Sequence, residues 1–239
     1  MIWRCETRVL KLIVDILKDI LLQVWFVFES DGTIFMMNTD DEKIVTISMF
    51  LFPSSTQFTC RHRVVFSFYI QNLFKILRGA PKNSETVLAV YNDSPDTMLI
   101  RWNDEPYPAF HLRHLPDEQP QFAVRHETPL LQCVKANVFY DIIRDLSTIG
   151  KIVTIQGSET DKTIKVSSEN EFGTKVHHIL PIVNGRGHFF SRHVIKYIEK
   201  FAKPGLDTEI RLGFGDFLPF TCEWSTGFGY LRMSVAALP

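Results

Sequence analysis

The side chains best suited to chemistry in this sequence are a few cysteines and histidines on predicted strands. Cys60 and His62 would point to the same side of a strand, where an imidazole could activate a thiol. The surrounding sequence offers neither an orienting acid nor an oxyanion donor. His177 and His178 are adjacent, so on a strand they point to opposite faces and cannot bind one metal ion together. The sequence therefore predicts no catalytic residue, metal site or cofactor, and an enzyme is not expected.

Composition and length indicate an ordinary globular protein. The chain has 239 residues, of which 45% are hydrophobic and 22% are charged, with a formal net charge of −1. The four cysteines are far apart and form no CxxC pair, which favours reduced thiols inside a cell over a disulfide scaffold or a zinc site. Lys11, Asp15 and Lys18 interrupt the one long apolar stretch, so a membrane span is not expected.

A different chemistry is suggested by lysines and arginines in four predicted helices, at 8–22, 70–80, 136–150 and 190–203. Their spacing of three and four places cations on one face of each helix and apolar residues on the other. On one helix such a face is ordinary solvated charge, but four alike in a chain of net charge −1 predict a surface for a polyanion. Aromatic side chains do not interleave with the cations, which favours duplex backbone over single strands. The residues predicted to face DNA are Arg8, Lys11, Lys18, Lys75, Arg78, Lys82, Arg144, Lys151, Lys196, Lys200 and Lys203.

The elements that carry these faces repeat along the chain, because the order helix, strands, helix, strands occurs twice. Thr86 and Thr208 open equivalent strands, and Trp102 and Trp224 close the next ones at the same separation. Residues 115–128 have no hydrophobic period and contain prolines and several charges, as linkers do. We therefore expect a first domain at 1–114, a connector at 115–128 and a second domain at 129–239.

Four stretches carry a resemblance to a known family. They are LKLIVDILKDI near the start, SFYIQNLFKILRGA at 67–80, FYDIIRDLSTIGKIVTI at 139–155 and GYLRMSVAALP at the end. In pattern and order they resemble the DNA sliding clamps of the proliferating cell nuclear antigen (PCNA) type, over the whole chain and at low identity. The resemblance implies an α+β DNA clamp, or processivity fold, of two similar βαβββ-βαβββ domains. Its helices would line the inner face of a ring of three subunits, with the sheets outside.

The resemblance also implies a function and its partners. The chain would be a polymerase processivity factor that encircles double-stranded DNA of any sequence and tethers DNA polymerase and other replication or repair proteins. It would form a homotrimer, need an ATP-dependent clamp loader, and bind neither a cofactor nor a membrane. The divergence favours a clamp encoded by a large DNA virus, which would act at the viral replication site in the host cell. A cellular clamp would act in the nucleus.

Site residues follow from the resemblance position by position. Subunits would join through edge strands at 107–114 and 173–181, with the interface residues Tyr107, Ala109, Phe110, Leu112, Lys175, Val176, His178 and Ile179. An apolar pocket under the connector would bind partner peptides through Asn38, Val45, Phe122, Val124, Leu218, Pro219, Ser234, Ala236 and Ala237. Three of these depart from the family pattern: Ser234 replaces an aromatic residue, Ala237 a proline and Asn38 a bulkier apolar residue. The pocket is therefore expected to be smaller, or to recognise a different peptide.

Two alternative functions remain open on the sequence. One is a subunit of a heterotrimeric checkpoint clamp, which the VAALP ending resembles about as well. The other is a transcription or scaffold factor that keeps the clamp fold but does not encircle DNA. It remains open because Leu12, Asp141, Val194 and Phe201 stand where the family often has cations. Whether identical chains assemble with one another distinguishes the replicative clamp from both alternatives.

Overall fold

The structure is a computed structural model that describes residues 1–54, 57–81, 83–92, 94–102, 109–115, 130–158, 163–179, 189–203, 205–215 and 218–239. Most of the predicted connector, at 116–128, lies outside the described residues. So do Lys82, Tyr107, Phe122 and Val124, and their roles stay predictions.

The described elements follow the order βαβββ-βαβββ twice, with one additional two-residue strand in the first half. The helices are α1 (Thr7–Leu17), α2 (Ile70–Arg78), α3 (Ala136–Ser147) and α4 (Ile195–Ala202). The strands of the first half are β1 (Ile2–Glu6), β2 (Gln23–Phe28), β3 (Ile34–Thr39), β4 (Val45–Leu51), β5 (Phe58–Thr59), β6 (Val64–Tyr69), β7 (Glu85–Tyr91), β8 (Ser94–Trp102) and β9 (Phe110–Arg113). Those of the second half are β10 (Leu130–Lys135), β11 (Ile152–Ser158), β12 (Thr163–Asn170), β13 (Gly173–Ile179), β14 (Phe189–Val194), β15 (Glu209–Phe214), β16 (Phe220–Ser225) and β17 (Gly229–Val235).

The chain divides into two compact units that exchange short segments. The first unit consists of Met1–Asp41, Ile47–Ala123 and Ser225–Leu231. The second consists of Glu42–Thr46, Val124–Trp224 and Arg232–Pro239. Each unit therefore contains one pair of helices and takes a short segment from the other half of the sequence.

In the first unit, α1 packs against α2, and both helices contact antiparallel strands. One sheet has the order β5-β1-β7-β8-β9, which leaves β9 at an edge. In the other sheet β2 lies between β3 and β6. The apolar faces of both helices are buried, with Leu10, Ile13 and Leu17 of α1 and Leu73 and Leu77 of α2 at most 1% exposed.

The second unit repeats this arrangement with α3 packed against α4. Strand β15 pairs with β10 and β16 in one sheet, and the other has the order β13-β12-β11-β14 with β13 at an edge. Phe139 of α3 and Phe201 of α4 are buried, so Phe201 faces the core. The four sequence-predicted helices thus form two equivalent pairs.

The structure corrects the helix predicted at 190–203. Residues 189–194 form β14, whose burial alternates with a period of two, and α4 begins only at Ile195. His193 therefore lies on a strand and is fully buried instead of sharing the cationic face of a helix. The helix predicted at 8–22 is also shorter, because α1 begins at Thr7 but already ends at Leu17.

Gly229 gives a test of this packing in the first unit. A Cβ at this position would lie 2.0 Å from the carbonyl oxygen of Phe50 and 2.8 Å from the Cα of Leu51, and backbone cannot move aside as a side chain can. We expect Gly229→Ala to lower the free energy of unfolding by about 2–3 kcal/mol, measured by thermal and denaturant unfolding. In the control Gly79→Ala, the added Cβ would have its nearest neighbours at 3.7 and 3.8 Å, and unfolding should be unchanged. Equal effects of the two substitutions would contradict the close approach.

Candidate nucleic-acid interface and partner site

The cations of the first unit lie on the paired helices α1 and α2. Arg8 of α1 and Lys75 and Arg78 of α2 are exposed, as the helical spacing predicts. Lys11 is half-buried, and its Nζ donates a 2.8 Å hydrogen bond to the carbonyl oxygen of Ala80, just beyond the end of α2. Lys11 therefore fastens the two helices together.

Lys18 is more enclosed than the other sequence-predicted cations of this unit. Its Nζ lies 2.7 Å from the carboxylate of Asp15, 3.4 Å from that of Asp19 and 4.6 Å from the centre of the Phe74 ring. Partial burial lowers the pKa of Lys18, but the hydrogen bonds and charges of Asp15 and Asp19 together outweigh this effect, so the net pKa is raised. With 15% of its side chain exposed, Lys18 pairs mainly with the two acids at the end of α1, and its contact with the Phe74 ring also reaches α2.

The sequence-predicted DNA-facing cations of the second unit are exposed, and Arg144 and Lys196 lie beside acidic side chains. Arg144 and Asp141 of α3 form an exposed ion pair of 3.3 Å, a kind that contributes little to stability. Lys196 of α4 lies 3.8 Å from the carboxylate of Glu42, which also accepts a 3.1 Å hydrogen bond from the hydroxyl of Tyr197. Lys151, Lys200 and Lys203 are exposed as well.

Two acids that contact predicted site residues, Glu42 and Asp145, were not identified as such from the sequence. Glu42 is far from α4 in sequence, so helical spacing could not have paired it with Lys196. Asp145 of α3 accepts a 2.7 Å bond from Nζ of Lys175 and lies 2.6 Å from Nε2 of His177, both on the edge strand β13. The hydrogen bond from Lys175 and then that from His177 hold the pKa of Asp145 below its usual value. Asp145 thus fastens β13 to α3.

Both sequence-predicted edge strands lie at sheet edges. On β9, Phe110 is half-buried with its ring 5.2 Å from that of Trp102, Leu112 is buried, and Ala109 just before the strand is exposed. On β13, Lys175, Val176 and His178 are exposed, and only the backbone of Ile179 is described.

The predicted pocket residues separate into accessible and inaccessible side chains. Asn38 is 3% exposed, its Oδ1 accepts a hydrogen bond from the amide of Trp25, and Val45 is fully buried. Leu218, Pro219, Ser234 and Ala237 are half-buried, and Ala236 is exposed. The accessible members therefore belong to the start of β16 and the end of the chain.

In the second unit, His193 contacts both the start of β16 and the end of the chain. His193 donates from Nδ1 to the carbonyl oxygen of Ala236 over 3.0 Å, and its ring centre lies 5.7 Å from that of Phe220. The amide of Ala236 donates to the carbonyl of Ile44 over 2.8 Å. Sequence reasoning missed His193 because it assigned residues 190–203 to a helix.

The described residues offer little support for other kinds of site. Among them, no three histidines, cysteines or acids are grouped closely enough to hold a metal ion. Within the same part of the chain, no helix is long and apolar enough to cross a membrane.

Comparisons with known proteins point to one family. Residues 4–109 match the model of the PCNA N-terminal domain. The chain is 21% identical to a probable DNA polymerase sliding clamp of Paramecium bursaria Chlorella virus 1, over 98% of this chain and 94% of that protein. A crystal structure of PCNA from Entamoeba histolytica superposes with a TM-score of 0.89 at 16% identity, over 100% of this chain and 98% of that one. The α+β clamp fold expected from the sequence is thereby confirmed, and the chain is similar to proteins of the PCNA type.

Proposed function

We propose that this protein is a DNA sliding clamp: a ring of identical chains that encircles duplex DNA and tethers a DNA polymerase to its template. The observation that carries the proposal is the PCNA fold along the whole chain, combined with cations on the exposed faces of all four helices. A polycationic lining binds phosphates without reading bases, so the ring can move along any sequence.

The internal repeat supports assembly into a ring. Strands β9 and β17 hold equivalent places in the two halves, and so do β13 and β4. In the first unit the start of β17 lies beside β4: the amide of Phe52 donates to the carbonyl of Phe228 over 2.7 Å, and the ring centres of Phe50 and Tyr230 are 5.4 Å apart. The equivalent strands β9 and β13 are edges, so β9 of one copy can pair with β13 of the next. Such head-to-tail pairing closes into a ring and covers the exposed edges. By analogy with PCNA, three copies would close it.

The proposed clamp works by geometry and does not need a bound cofactor. Opening a closed ring around DNA requires work, which an ATP-dependent clamp loader would supply. The clamp would act wherever its polymerase copies DNA inside the cell, and for a virus this is the replication site in the host. The boundaries 1–114, 115–128 and 129–239 are proposed for its two domains and connector.

The partner site is proposed at the accessible pocket residues of the second unit. Leu218 and Pro219 precede β16, and Ser234, Ala236 and Ala237 lie at the end of the chain. An extended peptide with apolar anchors could contact both segments. Phe122 and Val124 of the connector would complete the site. Because the side chains of Asn38 and Val45 are buried, we do not propose that either contacts the peptide.

Topological linkage is the test that separates a sliding clamp from an ordinary DNA-binding protein. The chain is allowed to thread onto an open-ended duplex, both ends are blocked with bulky proteins, and the sample is washed in high salt. Salt screens phosphate contacts, whereas it cannot release a closed ring. We expect the chain to stay on the blocked duplex and to leave after one internal cut. A chain that the wash removes, or that stays after cutting, is not a sliding clamp.

A further inference from the structure

The end of the chain is fastened to the second unit by three hydrogen bonds. The amide of Ala236 donates to the carbonyl of Ile44, and the amide of Leu238 donates to the carbonyl of Arg192, each over 2.8 Å. The third bond runs from Nδ1 of His193 to the carbonyl of Ala236, over 3.0 Å. Only this third bond depends on a side chain, so His193 is the position where substitution can test the attachment.

The protonation state of His193 follows from its surroundings. The side chain is fully buried, and burial lowers its pKa against the opposing effects of the backbone carbonyls of Ala236 and Val235. The imidazole is therefore neutral at neutral pH and carries one N–H. The carbonyl of Ala236 can only accept, so this proton is on Nδ1. Nε2 is then a bare acceptor, and no described residue donates to it.

A histidine at this buried position costs free energy, because one of its ring nitrogens has no hydrogen-bond partner among the described residues. A leucine would have a volume close to that of the histidine and would still pack against Phe220, without burying an unsatisfied nitrogen. Metal binding does not account for the residue, because no group of potential ligands exists among the described residues. What the histidine provides, and an apolar side chain does not, is the hydrogen bond to the carbonyl of Ala236.

The hydrogen bond from His193 holds residues 236–238, a segment that is partly exposed to solvent. Ala236 is exposed and Ala237 half-buried, while the backbone of Ala236 is engaged on both sides, by Ile44 and His193. A chain end held in this way is already in one conformation before a partner arrives. Binding then does not have to order it, and this saving increases affinity.

We propose that His193 is a positioning residue for partner binding, which fixes the carbonyl of Ala236 so that residues 236–238 present a preformed wall to an extended apolar peptide. This inference rests on the proposed partner site. His193 itself is buried and does not touch the peptide.

Two substitutions separate the hydrogen bond from the ring. His193→Phe keeps a buried ring against Phe220 but removes the donor. His193→Asn loses the ring but places an amide N–H close to the position of Nδ1. The probe is a fluorescent extended peptide with apolar anchors, and hydrogen exchange of the Leu238 amide reports the attachment without any peptide.

We expect His193→Phe to weaken peptide binding about fivefold, as the loss of one hydrogen bond would, and to speed exchange at Leu238. His193→Asn should stay within about twofold of the wild type in both measurements, even if its melting temperature falls. The proposal is overturned if His193→Phe matches the wild type, or if both variants are equally impaired, because the ring and not the donor would then matter. A wild-type chain that exchanges slowly at Leu238 but binds no peptide would instead refute the proposed partner site, and this inference with it.

Discussion

A Val176→Asp substitution is expected to convert the assembled ring into single chains. Val176 lies on the edge strand β13 and is 47% exposed in the single chain, so a carboxylate there is hydrated and the unit should still fold. In the proposed ring the same position is covered by β9 of the next subunit, where the carboxylate would have no assigned partner. Burying an uncompensated charge costs about 3 kcal/mol or more, which is roughly a hundredfold in the affinity of each contact.

Light scattering over a range of concentrations measures this effect directly. The wild type should have the mass of three chains, and Val176→Asp the mass of one. Phe190→Asp is the matched control, because Phe190 is 52% exposed on β14 at the opposite edge of the same sheet. It should leave the assembly intact. If the wild type is a single chain at micromolar concentration, or if both substitutions act alike, the edge pairing is misassigned.

Most strands, the repeat and three of the four helix starts were readable from the sequence, because the helices predicted to begin at 8, 70 and 136 begin at Thr7, Ile70 and Ala136. Strand β7 begins at Glu85, next to the predicted opening residue Thr86. Strands β1, β10 and β14 were missed, and each leads directly into a helix. None of the four helices has a side-chain cap hydrogen bond, and the residues before them are Glu6, Tyr69, Lys135 and Val194. The usual start signal of Ser, Thr, Asp or Asn is absent there, so at 190–203 periodicity alone did not separate strand β14 from the helix α4 that follows it.

The candidate interface was predictable only where local spacing determines it. Spacing of three and four identified the exposed cations Lys75, Arg78 and Lys200. It could not show that Glu42 lies beside Lys196, or that Asp145 holds Lys175 of the edge strand, because these contacts join residues far apart in the chain. Likewise, only the folded backbone brings His193 to the carbonyl of Ala236.

These contacts determine which cations give the clearest test of DNA binding. Lys11 bonds to the residue just beyond α2, and Lys18 lies over the Phe74 ring of α2, so replacing them would disturb the helix pair as well as the charge. Lys196 pairs with Glu42, in the segment that also supports Ala236 through Ile44. Lys75 and Arg78 are exposed, and neither forms an ion pair with another described residue. They can therefore be changed with the least effect on the fold.

The double charge reversal Lys75→Glu/Arg78→Glu is expected to weaken binding to duplex DNA and to reduce its dependence on salt. Each lost phosphate contact lowers the slope of log K against log salt by about 0.9, so the two together should lower it by about 2 per DNA-contacting chain. Fluorescence anisotropy with a short open duplex, titrated at several salt concentrations, gives both the affinity and the slope. The mass in light scattering should stay that of the wild type.

The matched control is Arg61→Glu/Arg63→Glu, which changes the net charge equally in the same unit. Both arginines are exposed and lie outside the helices, and the only ion pair in the described residues that involves either joins Arg63 to Glu29 over 3.3 Å. Because exposed pairs of this kind contribute little to stability, the control should fold normally and keep the wild-type salt slope. If the control lost as much affinity as the helix variant, overall charge would explain the binding and the helices would not be the DNA-facing surface. A smaller salt slope in the helix variant alone would assign the phosphate contacts to α2.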